Sequence, residues 1–167
     1  MIDVCNDFDF DGFWSDNDYA RRSYHAPPPT DDQVAAVQQI LGYTLPASYV
    51  MLARKQNGGL PARDAHPMSE RTSWTAGHVA LNGIFSISAD KRYSLCGEAG
   101  SRFWFDHWGY PAISMYFADC PSAGHDIFCL DFRSAGPTGN RRSSTSTRSA
   151  TTPSRRSPPA SWLSSGG

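Results

Sequence analysis

Apolar residues recur at helical spacing in the first third of the chain and in short strand-like runs from Trp74 onward. Thr30-Asp31-Asp32-Gln33 has capping-box spacing. Val34, Val37, Ile40 and Leu41 then form one apolar stripe that Gly42 closes, which predicts an amphipathic helix. Leu45-Pro46-Ala47-Ser48-Tyr49 opens a second helix with Pro46 in its first turn. Tyr49, Leu52 and Ala53 face inward, and Asn57-Gly58-Gly59 supplies a left-handed stop at its C-cap. Together these segments make a helical hairpin. Upstream, Ser15 reads as an N-cap for a short helix through Tyr19, Ala20 and Arg22, and Ala26-Pro27-Pro28-Pro29 as an extended spacer. Residues 1–11 alternate Asp with apolar residues and read equally as a frayed lead-in or a short edge strand.

Six later runs read as strands: His78–Leu81, Ile84–Ile87, Arg92–Leu95, Arg102–Phe105, Ala112–Ala118 and Ile127–Phe132, separated by Gly, Asp, Ser or Pro. Short connections favour antiparallel pairing. Helices first and strands afterwards predict an α+β fold, with N-terminal helices packed on a largely antiparallel, twisted β-sheet in a single domain.

Charge divides the chain where periodicity does not. Residues 141–167 hold five Arg and no acid, so of 15 basic and 16 acidic residues the first 140 keep ten and sixteen: a body of −6 and a tail of +5. An acidic body fits either solubility or a basic protein partner. The N-terminus has no basic region followed by an apolar one, and no apolar run reaches the roughly 18 residues of a membrane span, so a cytoplasmic protein is expected. Cys5, Cys96, Cys120 and Cys129 contain no CxxC pair, and His66, His78 and His107 lack metal-ligand spacing. Neither a metal nor another cofactor is expected.

Candidate chemistry is sparse. His125-Asp126 with Asp131 and Arg133 has the residue types of a base, its orienter and an anion clamp. A structural reading is preferred: Gly124 frees a turn, while Asp131 and Arg133 share a strand face. Trp108-Gly109-Tyr110-Pro111 reads as a packed aromatic corner, although Trp and Tyr are also the residues favoured at interface hot spots. Asp7, Asp9, Asp11, Asp16 and Asp18 match no calcium loop. As a partner surface, Asp16 and Asp18 would mimic phosphate and meet the basic cleft of a nuclease. The partner-contact candidates are therefore Asp16, Asp18, Trp108, Tyr110, His125 and Asp126.

Pro46 and Tyr49, Asn57-Gly58-Gly59, Trp74, Gly83-Ile84, Trp108-Gly109-Tyr110-Pro111, Gly124-His125-Asp126 and Leu130-Asp131-Phe132-Arg133, in this order, resemble the SUKH superfamily, and more narrowly its Smi/Knr-type branch. The resemblance covers about residues 8–139. It implies an α+β domain that binds other proteins, used in bacteria mostly as an immunity protein against polymorphic or contact-dependent toxins and in fungi in cell-wall regulation. It brings no catalytic residues. The expected function is thus non-enzymatic toxin neutralisation, with a housekeeping scaffold as the alternative.

The tail departs from the family, whose members continue with a strand and an amphipathic helix. Reading Ser143–Ser161 one nucleotide earlier, with suitable synonymous codons, permits a strand-loop-helix string, so a frameshift is the expected origin of residues 140–167, to be checked in the encoding DNA. As it stands, this Ser/Thr/Arg/Pro tract is too poor in apolar residues to offset its ordering entropy and is expected to be disordered.

Overall fold

The computed structural model describes residues 9–67, 76–112, 114–122 and 124–132. Trp74, Arg133, Asp7 and the whole tail, with the frameshift and disorder expectations attached to it, lie outside the described residues.

The helical hairpin forms as α2 (Asp31–Leu41) and α3 (Ala47–Lys55). Its capping box is complete: Gln33 N donates to Thr30 Oγ1 at 3.2 Å, and Thr30 N to Gln33 Oε1 at 2.9 Å. Gly42 closes α2 at φ 76°. The apolar stripe is narrower than expected, since Val34 and Val37 are buried while Ile40 is 50% exposed. Two further expectations shift. Pro46 is the N-cap of α3 rather than a residue of its first turn, and α3 ends at an extended Gln56, before Asn57-Gly58-Gly59. Upstream, Asn17 rather than Ser15 caps α1 (Asp18–Ser23), its side chain accepting from Ala20 N at 2.8 Å. Ser15 belongs to β1 (Trp14–Ser15).

The sheet is antiparallel among the described strands but divided. β1 pairs with β2 (Leu60–Pro61), and β3 (Ala65–Pro67) with β4 (His78–Ala80). β5 (Gly83–Ile84), β6 (Ser114–Asp119) and β7 (Ile127–Asp131) form a three-stranded unit in that order. Gly59 and Ile84 exchange backbone hydrogen bonds of 3.1 and 2.9 Å, which joins the start of β2 to β5.

Two predicted strands are absent. Residues 102–105 lie inside a helix, α4 (Ser101–Trp108), which buries Ser101 and Trp104 on one face and ends at Gly109 with φ 72°. Its aromatic content favours a strand locally, but the face three and four residues apart packs on β6, where Ser101 Oγ accepts from Tyr116 N at 2.9 Å. Residues 92–95 are a tight turn. The chain folds back so closely that a Cβ on Gly97 would lie 2.0 Å from the Lys91 carbonyl oxygen, and one on Gly100 2.4 Å from that of Ser94.

The core sits between the hairpin and the β5-β6-β7 unit. Tyr24, Phe85, Ile87, Leu95, Met115 and Tyr116 are fully buried, with Val37, Tyr49 and Ala53 of the helices and Leu45 of their connection packed in the same cluster. Each large side chain contributes about 1.5–3 kcal/mol by leaving water. No helix among the described residues is long and apolar enough to cross a membrane.

Candidate functional site

Gly109 divides the Trp108–Pro111 motif into an outer and an inner ring. Its left-handed turn caps α4, and Tyr110 then enters the core, where its hydroxyl donates to the Gly124 carbonyl at 2.8 Å. Pro111 accepts from the Tyr116 hydroxyl at 2.7 Å through its backbone. Trp108 stays outside, 44% exposed, with its inner edge over Gly124. A Cβ at Gly124 would lie 2.5 Å from Trp108 Cη2, and its φ of 88° also favours glycine, so the turn needs glycine for two independent reasons. Ser122 Oγ accepts from Asp126 N at 2.8 Å and stiffens the same turn.

The six expected partner contacts therefore divide. Trp108 and His125 are exposed at one corner. Tyr110 and Asp126 are buried, Asp126 being 3% exposed, and so do not present themselves to a partner: their neighbours in sequence take the surface and they take the interior. Asp16 and Asp18 are exposed, but Arg21 bridges them, Nη2 to Asp16 at 2.5 Å and Nη1 to Asp18 at 3.2 Å, and its single positive charge offsets half of theirs. The bases and acids of the enzymatic alternative do not assemble: β7 carries Asp131 to the opposite end of the strand from His125 and Asp126, roughly 13 Å along four residues. Arg133 is outside the described residues. No group of three or more His, Cys, Asp or Glu that could hold a metal occurs among the described residues.

Asn57-Gly58-Gly59 is not the helix stop that its composition implies but a buried junction. The Asn57 side chain donates to the carbonyls of Pro27 at 2.7 Å and Ile87 at 3.2 Å and accepts from Ile87 N at 2.7 Å. A Cβ on Gly58 would meet the Tyr24 carbonyl oxygen at 2.7 Å. Nearby, the Tyr49 hydroxyl donates to the Phe85 carbonyl, tying α3 to the chain just after β5, and burial pushes its pKa up.

Sequence reading missed a second polar junction. The Tyr24 hydroxyl, just beyond α1, donates to both carboxylate oxygens of Asp119 at 3.0 and 3.1 Å, and Asn82 Nδ2 reaches Asp119 at 2.7 Å and the Tyr24 hydroxyl at 3.0 Å. Tyr93 stacks on Tyr24 at 4.5 Å, and Tyr19, 46% exposed, meets Tyr24 edge-on at 5.9 Å. Burial holds the Asp119 carboxyl above the usual carboxylate range, against hydrogen bonds from Asn82 and Tyr24 that pull it down. Nothing in the local pattern joins residues 95 apart. The one available signal was Gly83, where a Cβ would lie 2.2 Å from the Tyr24 ring.

A family model described as the SMI1 / KNR4 family (SUKH-1) matches residues 28–143, well over half of the chain. The chain belongs to the SUKH-1 family. No curated protein and no solved structure matches it. The SUKH-1 match takes in α2, α3, the aromatic corner and the β5-β6-β7 unit. β1, α1 and Tyr24 precede the matched residues, yet they are built into the SUKH-1 core through Asp119, Asn82 and the pairing of β1 with β2.

Proposed function

We propose that this SUKH-1 domain is a non-enzymatic, cytoplasmic protein-binding module acting as an immunity protein: it holds a bacterial toxin domain in a stoichiometric complex and covers its active surface. The observation that carries the reading is the family match over residues 28–143. Such proteins bind other proteins, and in bacteria the resemblance implies immunity. The exposed Trp108 supports it, because its ring is braced against Gly124 and beside Trp104, 6.0 Å away, so little side-chain entropy is lost when a partner covers it. The acidic excess of the first 140 residues favours a basic partner such as a nuclease by raising the association rate. Occlusion calls for no cofactor.

Co-expression of the full chain with the product of whatever gene lies immediately upstream tests this reading. Growth should be restored, and protection in a purified mixture should end at one immunity protein per toxin. Protection that persists far below one equivalent would mean turnover and would remove the non-enzymatic reading. An upstream product that is harmless, or that this chain neither binds nor neutralises, would overturn the immunity reading and leave the housekeeping scaffold.

A further inference from the structure

Asp119 is 7% exposed at the end of β6, and its side-chain partners come from two distant elements: Tyr24 just after α1 and Asn82 in the β4–β5 turn. Through Tyr24 the carboxylate holds the segment that carries β1 and α1. The titratable groups around it are few. Tyr24, Tyr93 and, behind Tyr24, Tyr19 face it from the N-terminal side, with the Arg92 guanidinium lying over the Tyr93 ring at 5.6 Å. The Cys120 thiol lies on the β6–β7 side, with the Asp126 carboxyl beyond it. β5 contributes only the Gly83 backbone. No ion pair among the described residues includes Asp119. Its negative charge is thus held out of water by neutral donors alone, an arrangement that disfavours ionisation. Undocking Tyr24 returns the carboxyl to solvent and removes that penalty.

The geometry points to a proton-responsive latch: the Tyr24–Asn82–Asp119 junction closes more firmly when Asp119 carries a proton and releases the β1–α1 segment more readily when it is ionised. This inference stands on the junction itself and does not depend on the immunity reading. Burial raises the carboxyl pKa in the closed form. The stabilisation is therefore fully present below the ordinary carboxylate range and is lost as pH rises through the closed-state pKa.

Amide hydrogen exchange of the full chain, corrected for the intrinsic pH dependence of exchange, reads the latch directly. Ala26 N donates to Asn57 O at 2.9 Å and Tyr93 N to Ser23 O at 2.9 Å, so both report docking of the segment. Phe85 N, donating to Phe117 O at 2.8 Å, reports the sheet. Protection at Ala26 and Tyr93 should fall with rising pH by up to about tenfold per unit, the limit for one proton, while Phe85 stays constant. Asp119→Asn should flatten the dependence. Tyr24→Phe keeps the ring but removes a donor that favours the ionised form, and should move the dependence to higher pH. An unchanged profile in either variant, a flat wild-type profile, or Phe85 following by the same factor would overturn the latch. Should Asp119→Asn fail to fold, Tyr24→Phe decides alone.

Discussion

The aromatic corner at the end of α4 and the junction beneath α1 use the same parts: a tyrosine hydroxyl, a glycine that a ring presses against, and a buried aspartate. They differ in reach. Tyr110 finds Gly124 across 14 residues, whereas Tyr24 finds Asp119 across 95. The corner leaves its largest ring, Trp108, half in solvent, while the junction encloses Tyr24 completely. The local motif thus builds a surface feature and the distant one fixes the frame. Damage at the junction should be felt by the fold, and damage at the corner by a partner.

The largest expected effect tests that division. Tyr24→Ala removes a fully buried ring, empties the space against Tyr93 and takes a donor from Asp119, and should destabilise the domain by about 3–5 kcal/mol. Trp108→Ala removes a ring that is 44% exposed and should cost only about 1 kcal/mol. Urea unfolding of both variants gives the comparison. Equal losses would break it, and would mean that Trp108 belongs to the core as much as Tyr24 does.

The same contrast explains what was legible in the sequence. α2 was, because Thr30, Gln33, Val34, Val37 and Gly42 are close neighbours whose capping and periodic burial are set within a few turns. The β6–β7 pair was, because Ser114–Asp119 and Ile127–Asp131 are apolar runs joined by a short turn. α4 was not. Phe103-Trp104-Phe105 has strand propensity, and only the burial of Ser101 and Trp104 on one side of β6 makes the segment helical. Asn57 was assigned to a cap because its local company, two glycines, is that of a helix stop. Its actual partners, Pro27 and Ile87, are each 30 residues away. Of the candidate site, the exposed Trp108 and His125 were legible by type and place, but the burial of Tyr110 and Asp126 was not, since it depends on the sharp turn at Gly109 and on the packing around Ser122 and Gly124.

An intermediate effect sharpens the comparison at high pH. Burial pushes one tyrosine in each region up to about 12 from 10.0: Tyr93 beside the junction and Tyr110 in the corner. A phenol with a raised folded-state pKa supports stability fully below its unfolded value. That support fades as pH rises through about 12. Tyr110→Phe should therefore lose about 1 kcal/mol at neutral pH, where the Gly124 carbonyl is left without its donor, yet move the alkaline unfolding midpoint upward. Phenolate absorbance followed alongside unfolding measures both. An alkaline midpoint that does not move would mean that Tyr110 ionises as freely as a surface tyrosine, and the corner would be looser than its hydrogen bonds imply.

The smallest effect on stability is expected at Asp16 and Asp18, and for that reason it isolates binding from folding. Both carboxylates are exposed and tied only to an exposed Arg21, a geometry in which ion pairs add little to the fold. Reversing both charges, Asp16→Lys with Asp18→Lys, should lower the unfolding midpoint only slightly, by the few tenths to about 1 kcal/mol of a cation in the first turn of α1 beside Arg21. An acidic face that steers a basic toxin would then reveal itself as slower association and a weaker salt dependence. Trp108→Ala, by contrast, should act on dissociation, as buried aromatic anchors do. Unchanged association after charge reversal would make the acidic residues a solvated face whose charge Arg21 partly offsets. The braced Trp108 corner would then be the contact surface still to be tested.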